Sequence, residues 1–307
     1  MIKIKIKSVK DKSVKILEKP ITGCWIDVSS PSEEEIYRLI YDFKIPKDFV
    51  LSSLDEDERP RVEKEGRILL VIVRIPHRRD KEVITLPLGI IITEKYFVTI
   101  CMTENEVMRD FHVGKLEFYT TQKTRFLLQI LKRIYHYYAK FIDEIEKRVR
   151  RIEASVPKSL RNEEITQLLK YQTTLVYFNG AIIGNEKVFE RIAGGKLIRL
   201  YRQDEELLED IMIDNKEIME NVRIFSEILS NTMDAYASIV SNNLNIIMKL
   251  LTSFTIILSI PTIVSSIYGM NIRLPLQERM EAFLILMIIT LLMMLSIVFL
   301  FKKKEWL

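Results

Sequence analysis

Two runs of sequence without a charged residue constrain the fold of this chain more than any other feature. The first extends from Leu250 to Ile272, over 23 positions, and the second from Ala282 to Phe301, over 20 positions. A helix needs about 20 residues to cross the ~30 Å hydrocarbon core of a bilayer. Because both runs are long enough and lie close together, they predict two membrane-spanning helices, at 249–271 and 282–301, rather than core helices of a soluble domain.

Basic residues near the ends of the two runs predict the orientation of the spans. Lys249 precedes the first run and Lys302–Lys304 follow the second, whereas the loop between them has equal numbers of both charges. The charged loop residues are Arg273, Glu278, Arg279 and Glu281. Since basic residues favour the cytoplasmic side, the N- and C-termini should both be cytoplasmic and the loop outside. The first residues, MIKIKIKSVK, alternate as in a strand and not as in a signal peptide, so we expect a multi-pass protein of the cell membrane.

The part of the chain before the first span begins with a segment of mixed character. Residues 1–120 contain short runs rich in Ile and Val between Gly and Pro residues, which predict a cytosolic α/β domain. The strand candidates are Ile2–Val9, Cys24–Val28, Ile68–Ile75 and Leu86–Ile100. After the second candidate, SSPSEEEIYRLI indicates a helix with Ser30 as its N-cap and Pro31 at its first position.

Beyond residue 120 the apolar residues recur every three or four positions, which is the period of a helix. One helix is predicted over 121–155, ended by Pro157, and a second over 162–192; together they form a helical hairpin at 121–195.

A third helix is predicted to begin near Asp204 and to continue into the membrane. No Pro or Gly interrupts the chain from Lys196 to Ile260, and a Pro within a span bends a helix without ending it. The stalk at 196–248 should therefore run into the transmembrane domain at 249–307 and end near Gly269. The expected fold class is α+β, with an N-terminal cytosolic domain, a helical hairpin, a stalk and two C-terminal spans.

A row of small polar residues follows one face of the first span. Its members are Asn245, Thr252, Thr255, Ser259, Thr262 and Ser266, followed by Gly269. Their steps of three, four or seven residues place them on a single side of a helix. Two interpretations fit this spacing. Small residues allow helices to pack closely, and hydroxyl groups can bond to their own helix. Alternatively, the row lines a water-filled path, which requires several copies because two spans cannot enclose a pore.

The end of the first span resembles the signature of the CorA family of magnesium channels. The sequence YGMN, Tyr268 to Asn271, ends the first of two C-terminal spans, and the tail FKKKEWL at 301–307 is similar to the basic ending of that family. RPRVEKEGRILLVIVR, at 59–74, also resembles part of its N-terminal domain. The resemblance implies a homopentamer in the membrane lipid whose first spans form the pore and whose cytosolic domains bind Mg²⁺.

The resemblance also implies roles for particular residues. The pore mouth, which selects the ion, would consist of Tyr268, Gly269, Met270 and Asn271. The pore-lining set would comprise Asn245, Met248, Leu251, Thr252, Thr255, Ser259, Thr262 and Ser266, with Asp234 nearer the inner end. Because Ser259 stands where the family can have a larger apolar residue, the hydrophobic gate is assigned to Met248 and Leu251. The acidic motif often found after GMN is weak here, since IRLPLQE contains only Glu278.

The resemblance also implies regulation by internal Mg²⁺, which acidic residues between neighbouring cytosolic domains would bind. Asp210, in LLEDIMIDN, is at a position similar to that of a sensor acid of the family. Its partner should come from LDEDERP, which provides Asp55, Asp57 and Glu58, and the sequence does not distinguish among the three. Asp234, on the stalk, is a further candidate for the regulatory metal and could concentrate cations at the inner mouth of the pore.

The function predicted from these features is influx of Mg²⁺ through an oligomeric channel gated by intracellular Mg²⁺, with Co²⁺ or Ni²⁺ as further cargo. The alternatives are a zinc-transporting relative of the same fold and a membrane-anchored scaffold or sensor without transport. Nothing in the sequence resembles a catalytic constellation, so an enzyme is not expected. The net charge of +4 is small for 307 residues and gives no case for nucleic acid as a partner. Cys24 and Cys101 are expected to be reduced thiols without a special role.

Overall fold

The N-terminal part of the chain forms a seven-stranded mixed sheet in the computed structural model of the protein. The strands are β1 Ile2–Ile6, β2 Lys15–Leu17, β3 Trp25–Ser29, β4 Arg61–Glu65, β5 Ile68–Arg79, β6 Glu82–Ile92 and β7 Phe97–Cys101. Their order across the sheet is β2-β1-β3-β7-β6-β5-β4. The β3–β7 pair is parallel and the other pairs are antiparallel. The parallel pair joins the N-terminal strands to the β4–β7 meander.

The structure describes residues 1–11, 13–80, 82–114, 116–155, 162–195, 197–272, 274–275 and 281–306. The sequence predictions for Pro157, Arg273, Glu278 and Arg279 lie outside these residues, as do the boundary residue Lys196 and the final residue of the tail. The chain divides into two compact units, Met1–Ser230 and Asn231–Leu307, called unit 1 and unit 2 below.

Helices make up most of the rest of the chain. They are α1 Glu33–Tyr41, α2 Lys47–Ser52, α3 Glu106–His112, α4 Lys123–Ser155, α5 Asn162–Ala193, α6 Arg202–Tyr268 and α7 Ala282–Lys303. The long helices α4, α5 and α6 agree closely with those predicted from the helical period, and Pro261 lies inside α6 without ending it. The mixed sheet, the long helices and the apolar C-terminal helix confirm the expected α+β class.

The run Leu86–Ile100, predicted as one strand, is two strands joined by a tight turn, so this prediction was wrong. The turn at Thr93–Tyr96 lies between β6 and β7. The Oγ1 atom of Thr93 accepts hydrogen bonds from the backbone N–H groups of Lys95, at 3.2 Å, and Tyr96, at 2.8 Å. A threonine side chain that replaces backbone partners in this way stabilises a turn without Gly or Pro.

The start of α1 also differs from the sequence prediction. Ser32, and not Ser30, is the N-cap: its Oγ accepts from the backbone N–H of Glu35, and the Glu35 carboxylate accepts from the backbone N–H of Ser32. This reciprocal pair is a capping box, whose Ser-x-x-Glu spacing was present in the sequence. Ser30 has a φ of 49° and its hydroxyl donates to the carbonyl of Met102 at 3.0 Å.

The core of unit 1 is rich in aromatic side chains between the sheet and α4. Phe126 of α4 packs against Trp25, Phe97 and Phe118, with ring centroids 4.6 to 5.2 Å apart. Helix α5 lies close to the loop before β4, because a Cβ atom on Gly184 would stand 2.8 Å from Cγ of Pro60. These contacts position the long helices on the sheet.

Both cysteines are buried in unit 1 as free thiols. Burial raises the pKa of Cys24, and it raises the pKa of Cys101 to about 11. Because the thiolate is the reactive form, these side chains are chemically inert near neutral pH.

Candidate functional site

The two apolar segments form helices that are long enough to cross a membrane. Windows of α6 and α7 have mean hydropathies of 1.9 and 3.0, and 11% and 0% of these windows are buried within the chain. A soluble helix of this hydropathy would be buried, since exposed apolar surface of this extent is unfavourable in water. The exposed apolar residues therefore require lipid, other copies of the chain, or both.

The first span has two different faces in unit 2. On one face, Pro261, Val264 and Tyr268 line a groove of about 670 Å³ together with residues of α7. The row of small polar residues lies on another face. Thr252, Thr255, Thr262 and Ser266 are exposed and Ser259 is half-buried. At 3.6 residues per turn, the mean direction of this row is about 130° from that of the five α6 residues that line the groove, which also include Ser265 and Gly269. The polar row from Thr252 to Ser266 therefore faces largely away from α7, whereas Gly269, which follows the row, contributes to the groove.

The hydroxyl groups of the row present acceptors to their surroundings. Thr255 donates to the carbonyl of Leu251 at 2.9 Å, Ser259 to that of Ile256 at 2.8 Å, and Thr262 to that of Leu258 at 3.3 Å. Each hydroxyl has one donor and two lone pairs, so these bonds use the donor and leave oxygen acceptors on the outer face.

The same type of bond occurs away from the row. The hydroxyl of buried Ser253 donates to the carbonyl of Lys249 at 2.8 Å. The hydrogen bonds alone therefore do not distinguish a water-filled path from helix packing. Among the described residues, α7 is the only other helix of unit 2, so packing between α6 and α7 of one chain does not account for the row.

The YGMN segment closes the helix without a left-handed glycine. Helix α6 ends at Tyr268, and the N–H groups of Gly269 and Met270 donate to the carbonyls of Ser265, at 2.9 Å, and Ile267, at 3.2 Å. Gly269 does not have a positive φ, so it is not the left-handed cap that commonly ends a helix. The Tyr268 hydroxyl donates to the carbonyl of Pro275 at 3.4 Å, which holds the following segment near the helix end. Met270 and Asn271 are exposed there.

The inner part of the row consists of exposed residues on the same helix face. Met248 is 51% exposed and Leu251 58%, and Asn245 and Asp234 are also exposed. By the helical period, Met248 lies at the centre of the row and Leu251 at its edge. Ser241 belongs to the same row, seven residues after Asp234 and four before Asn245, and the sequence analysis missed it although the spacing was visible.

The candidate sensor acids Asp55, Asp57 and Asp210 lie in unit 1, whereas Asp234 lies in unit 2. The Asp210 carboxylate accepts from Nζ of Lys132 at 3.3 Å, and both side chains are half-exposed or more. The loop of Asp55 and Asp57 is held by Arg74, which donates to the carbonyls of Glu56 and Glu58 at 3.0 Å. Among the described residues, no group of three or more His, Cys, Asp or Glu side chains is arranged to hold a metal ion.

The three acids that the sequence offers as partners of Asp210 differ in their contacts. The Glu58 carboxylate forms an ion pair with Arg61. Asp55 and Asp57 are exposed, and Oδ1 of Asp55 accepts from the backbone N–H of Asp57 at 3.1 Å. The two aspartates therefore have oxygen atoms accessible to a cation, whereas Glu58 would first have to give up a cationic partner.

Comparison with known proteins covers nearly the whole chain. A family model described as CorA-like Mg²⁺ transporter protein matches residues 22–303. The cobalt/magnesium transport protein CorA of Methanocaldococcus jannaschii is 27% identical over 292 residues, which cover 92% of this chain and 90% of the relative. The complete structure of the CorA magnesium transporter from that organism superimposes with a TM-score of 0.86 at 26% identity, over 100% of this chain and 99% of the other.

A more distant structure shares the fold of part of the chain. The ZntB cytoplasmic domain from Vibrio parahaemolyticus RIMD 2210633 matches with a TM-score of 0.53 at 12% identity. It covers 76% of this chain and is itself covered over 98% of its length.

Proposed function

Since the chain belongs to the CorA family of Mg²⁺ transporters, we propose that it forms a homopentameric channel that carries Mg²⁺, and also Co²⁺, into the cell. The observation that carries this proposal is the exposed polar row of α6 on the face away from α7. Membership of a transporter family also agrees with the expectation that the chain is not an enzyme.

The proposed arrangement follows from the two faces of the first span. A helix that is polar on one side and packed against an apolar helix on the other satisfies both faces only if several copies surround a common axis. The α6 rows then line the axis and the α7 helices face the lipid. The number of copies, five, rests on the family resemblance.

The residues of the row suit a hydrated dication. Mg²⁺ loses its waters reluctantly, so neutral oxygen acceptors can bind the ion through its water shell. Asn271 would form the outermost ring at the mouth, and the hydroxyl groups of Ser266, Thr262 and Ser259 would follow. Neutral groups bind a dication weakly, which conduction requires because the ion must also leave each site. Rings of Met248 and Leu251 would close the path by excluding water.

The inner end of the path and its regulation involve acidic residues. A ring of Asp234 carboxylates would concentrate cations at the cytoplasmic mouth. Asp210 would bind regulatory Mg²⁺ together with Asp55 or Asp57 of a neighbouring copy, and this contact would favour the closed state. Because Asp210 is already paired with Lys132, Mg²⁺ would compete with that ammonium group for the carboxylate.

The Asn271→Ala variant tests the proposed mouth. We expect Mg²⁺ uptake into proteoliposomes to be abolished while the oligomer stays intact in size-exclusion chromatography. Asn243→Ala is the control, because Asn243 is an exposed asparagine of α6 that points about 140° away from the mean direction of the row. Normal Mg²⁺ uptake by an intact Asn271→Ala oligomer would show that the mouth is assigned to the wrong residues.

Competition among Mg²⁺, Co²⁺, Ni²⁺ and Zn²⁺ in the same liposomes tests the cargo. We expect Mg²⁺ uptake that is inhibited by Co²⁺. Uptake of Zn²⁺ without Mg²⁺ would favour the zinc-transporting alternative, and absence of any uptake by the wild-type oligomer would favour a scaffold or sensor.

A further inference from the structure

A cavity of about 420 Å³ lies in unit 1, among α4, α5 and the β5–β6 hairpin. None of the residues of the proposed path or of the candidate sensor contributes to its lining. Its apolar lining comes from all three elements, for example Phe141 and Ile145 of α4, Tyr177 of α5 and Ile84 of β6. Its volume lies within the range of about 300–1,000 Å³ that is typical of small-molecule sites.

The walls of the cavity are held in place by contacts between the elements that form it. The hydroxyl of Thr174 on α5 is 3.0 Å from the carbonyl of Lys170 on its own helix and 3.3 Å from the carbonyl of Val83 on β6, so α5 and β6 are in contact there. Lys170 of α5 forms an ion pair with Glu82 of β6 at 2.6 Å. The guanidinium of Arg78 lies 5.2 Å from the ring centroid of Phe141, so it also covers the apolar floor. These links oppose collapse of the space between helix and hairpin.

The charges on the lining leave one cation in excess. The lining contains the cations Arg78, Arg148 and Lys170 and the carboxylates Glu82 and Glu144. Glu144 is paired with Arg78, and Glu82 with Lys170. Within the described part of the chain, Arg148 has no carboxylate within ion-pair distance, and its side chain is exposed at the edge of the cavity. An apolar interior beside an uncompensated guanidinium is complementary to an apolar molecule with one negative charge.

We propose that this cavity binds an amphipathic monoanion, of the class of aryl carboxylates, whose carboxylate pairs with Arg148 and whose ring packs against Ile84 and Tyr177. A dication is a poor match, since both carboxylates of the lining are already neutralised. The ligand would contact both helices of the α4–α5 pair and the hairpin, and would link them. The proposal does not depend on ion transport.

Equilibrium dialysis of the full-length protein in lipid nanodiscs tests this site, with empty nanodiscs as the blank. The probes are 1-naphthoate, the neutral 1-naphthylmethanol and the cationic 1-naphthylmethylammonium, which share one ring system. We expect saturable binding of one 1-naphthoate per chain, with weaker binding of the alcohol and weakest binding of the ammonium. Arg148→Met should weaken 1-naphthoate binding about tenfold, as for loss of one charged hydrogen bond.

Two further variants sharpen the test. Arg150→Met is the control, because Arg150 is on the same helix but pairs with Glu146 and does not line the cavity. It should leave 1-naphthoate binding unchanged. Arg148→Glu should reverse the preference, so that the ammonium binds more tightly than 1-naphthoate. Equal binding of all three probes, binding unaffected by Arg148→Met, or no saturable binding of 1-naphthoate would each overturn the proposal.

Discussion

Unit 1 and unit 2 use similar apolar residues in opposite ways. In unit 1, side chains such as Trp25, Phe97 and Phe126 have no exposed surface, because the sheet and helices of a single chain enclose them. In unit 2, α7 has no buried residue, and Phe299 is 69% exposed. The difference lies in the solvent that each unit meets. Water drives apolar side chains of unit 1 together, whereas lipid is itself apolar and gives unit 2 no such drive.

Polar side chains follow the same contrast. In unit 1, Asp27 is an example of a buried polar group paired within the chain: it accepts from Thr99 at 2.7 Å and contacts His112 at 2.7 Å. Asn215 is an exception, because both polar atoms of its buried amide lack a hydrogen-bond partner within the part of the chain that the structure describes. In unit 2, the polar row of α6 is directed outwards. Pairs such as that of Asp27 lie within one chain, whereas the outward hydroxyl groups of the α6 row have acceptors that only other molecules can use.

The largest expected effect compares one aromatic residue in each unit. Phe126→Ala should lower the free energy of unfolding by about 3–5 kcal/mol, because it removes a fully buried ring and leaves a cavity. Phe299→Ala should change stability by less than about 1 kcal/mol, because its ring is already exposed on the chain. Thermal unfolding of the full-length protein in detergent measures both. Similar losses in the two variants would contradict the contrast between the units.

The second prediction separates the two faces of the membrane unit. Thr262→Val keeps the size of the side chain on the polar row but removes its oxygen acceptor, and we expect Mg²⁺ uptake to fall about tenfold. Thr290→Val is the control on α7, where the hydroxyl bonds to the carbonyl of Leu286 at 2.8 Å and lines the groove with α6. Its uptake should stay close to that of the wild type. If Thr290→Val reduces uptake as much as Thr262→Val does, the row has no special role.

The smallest expected effect concerns the exposed acids of unit 1. Asp210→Ala should weaken inhibition of uptake by internal Mg²⁺ severalfold, because one carboxylate ligand is lost. Lys132→Met removes the other half of the ion pair at 3.3 Å and should strengthen inhibition, since Mg²⁺ then has no competitor for the carboxylate. Inhibition curves with Mg²⁺ inside the liposomes measure both changes. Weakened inhibition in both variants would mean that the ion pair, and not Mg²⁺ binding, is what Asp210 provides.

Local pattern predicted the long elements of this protein well. Helices α4, α5 and α6 were found from the spacing of their apolar residues, because each helix repeats the same period over many turns. Short helices and strands were harder to predict from the sequence. Helices α2 and α3 were missed, since seven residues or fewer span only about two turns. Strands β2 and β4 were missed, since they lack the repeated Ile or Val residues that mark β1 and β3. The turn at Thr93–Tyr96 was missed because it has neither Gly nor Pro.

The sequence by itself determined the two spans, the polar row and the position of YGMN, because charge, hydrophobicity and helical spacing are local properties of the chain. Tertiary structure decided which face of α6 packs against α7. It also decided that Glu58 pairs with Arg61 and that, among the described residues, Arg148 has no carboxylate partner beside the cavity. Other ion pairs join residues far apart in the chain, such as Arg78 and Glu144, or Lys132 and Asp210, meeting across a packed interface. A local sequence pattern does not predict these ion pairs, since the packing of the whole unit sets the distance between the two partners.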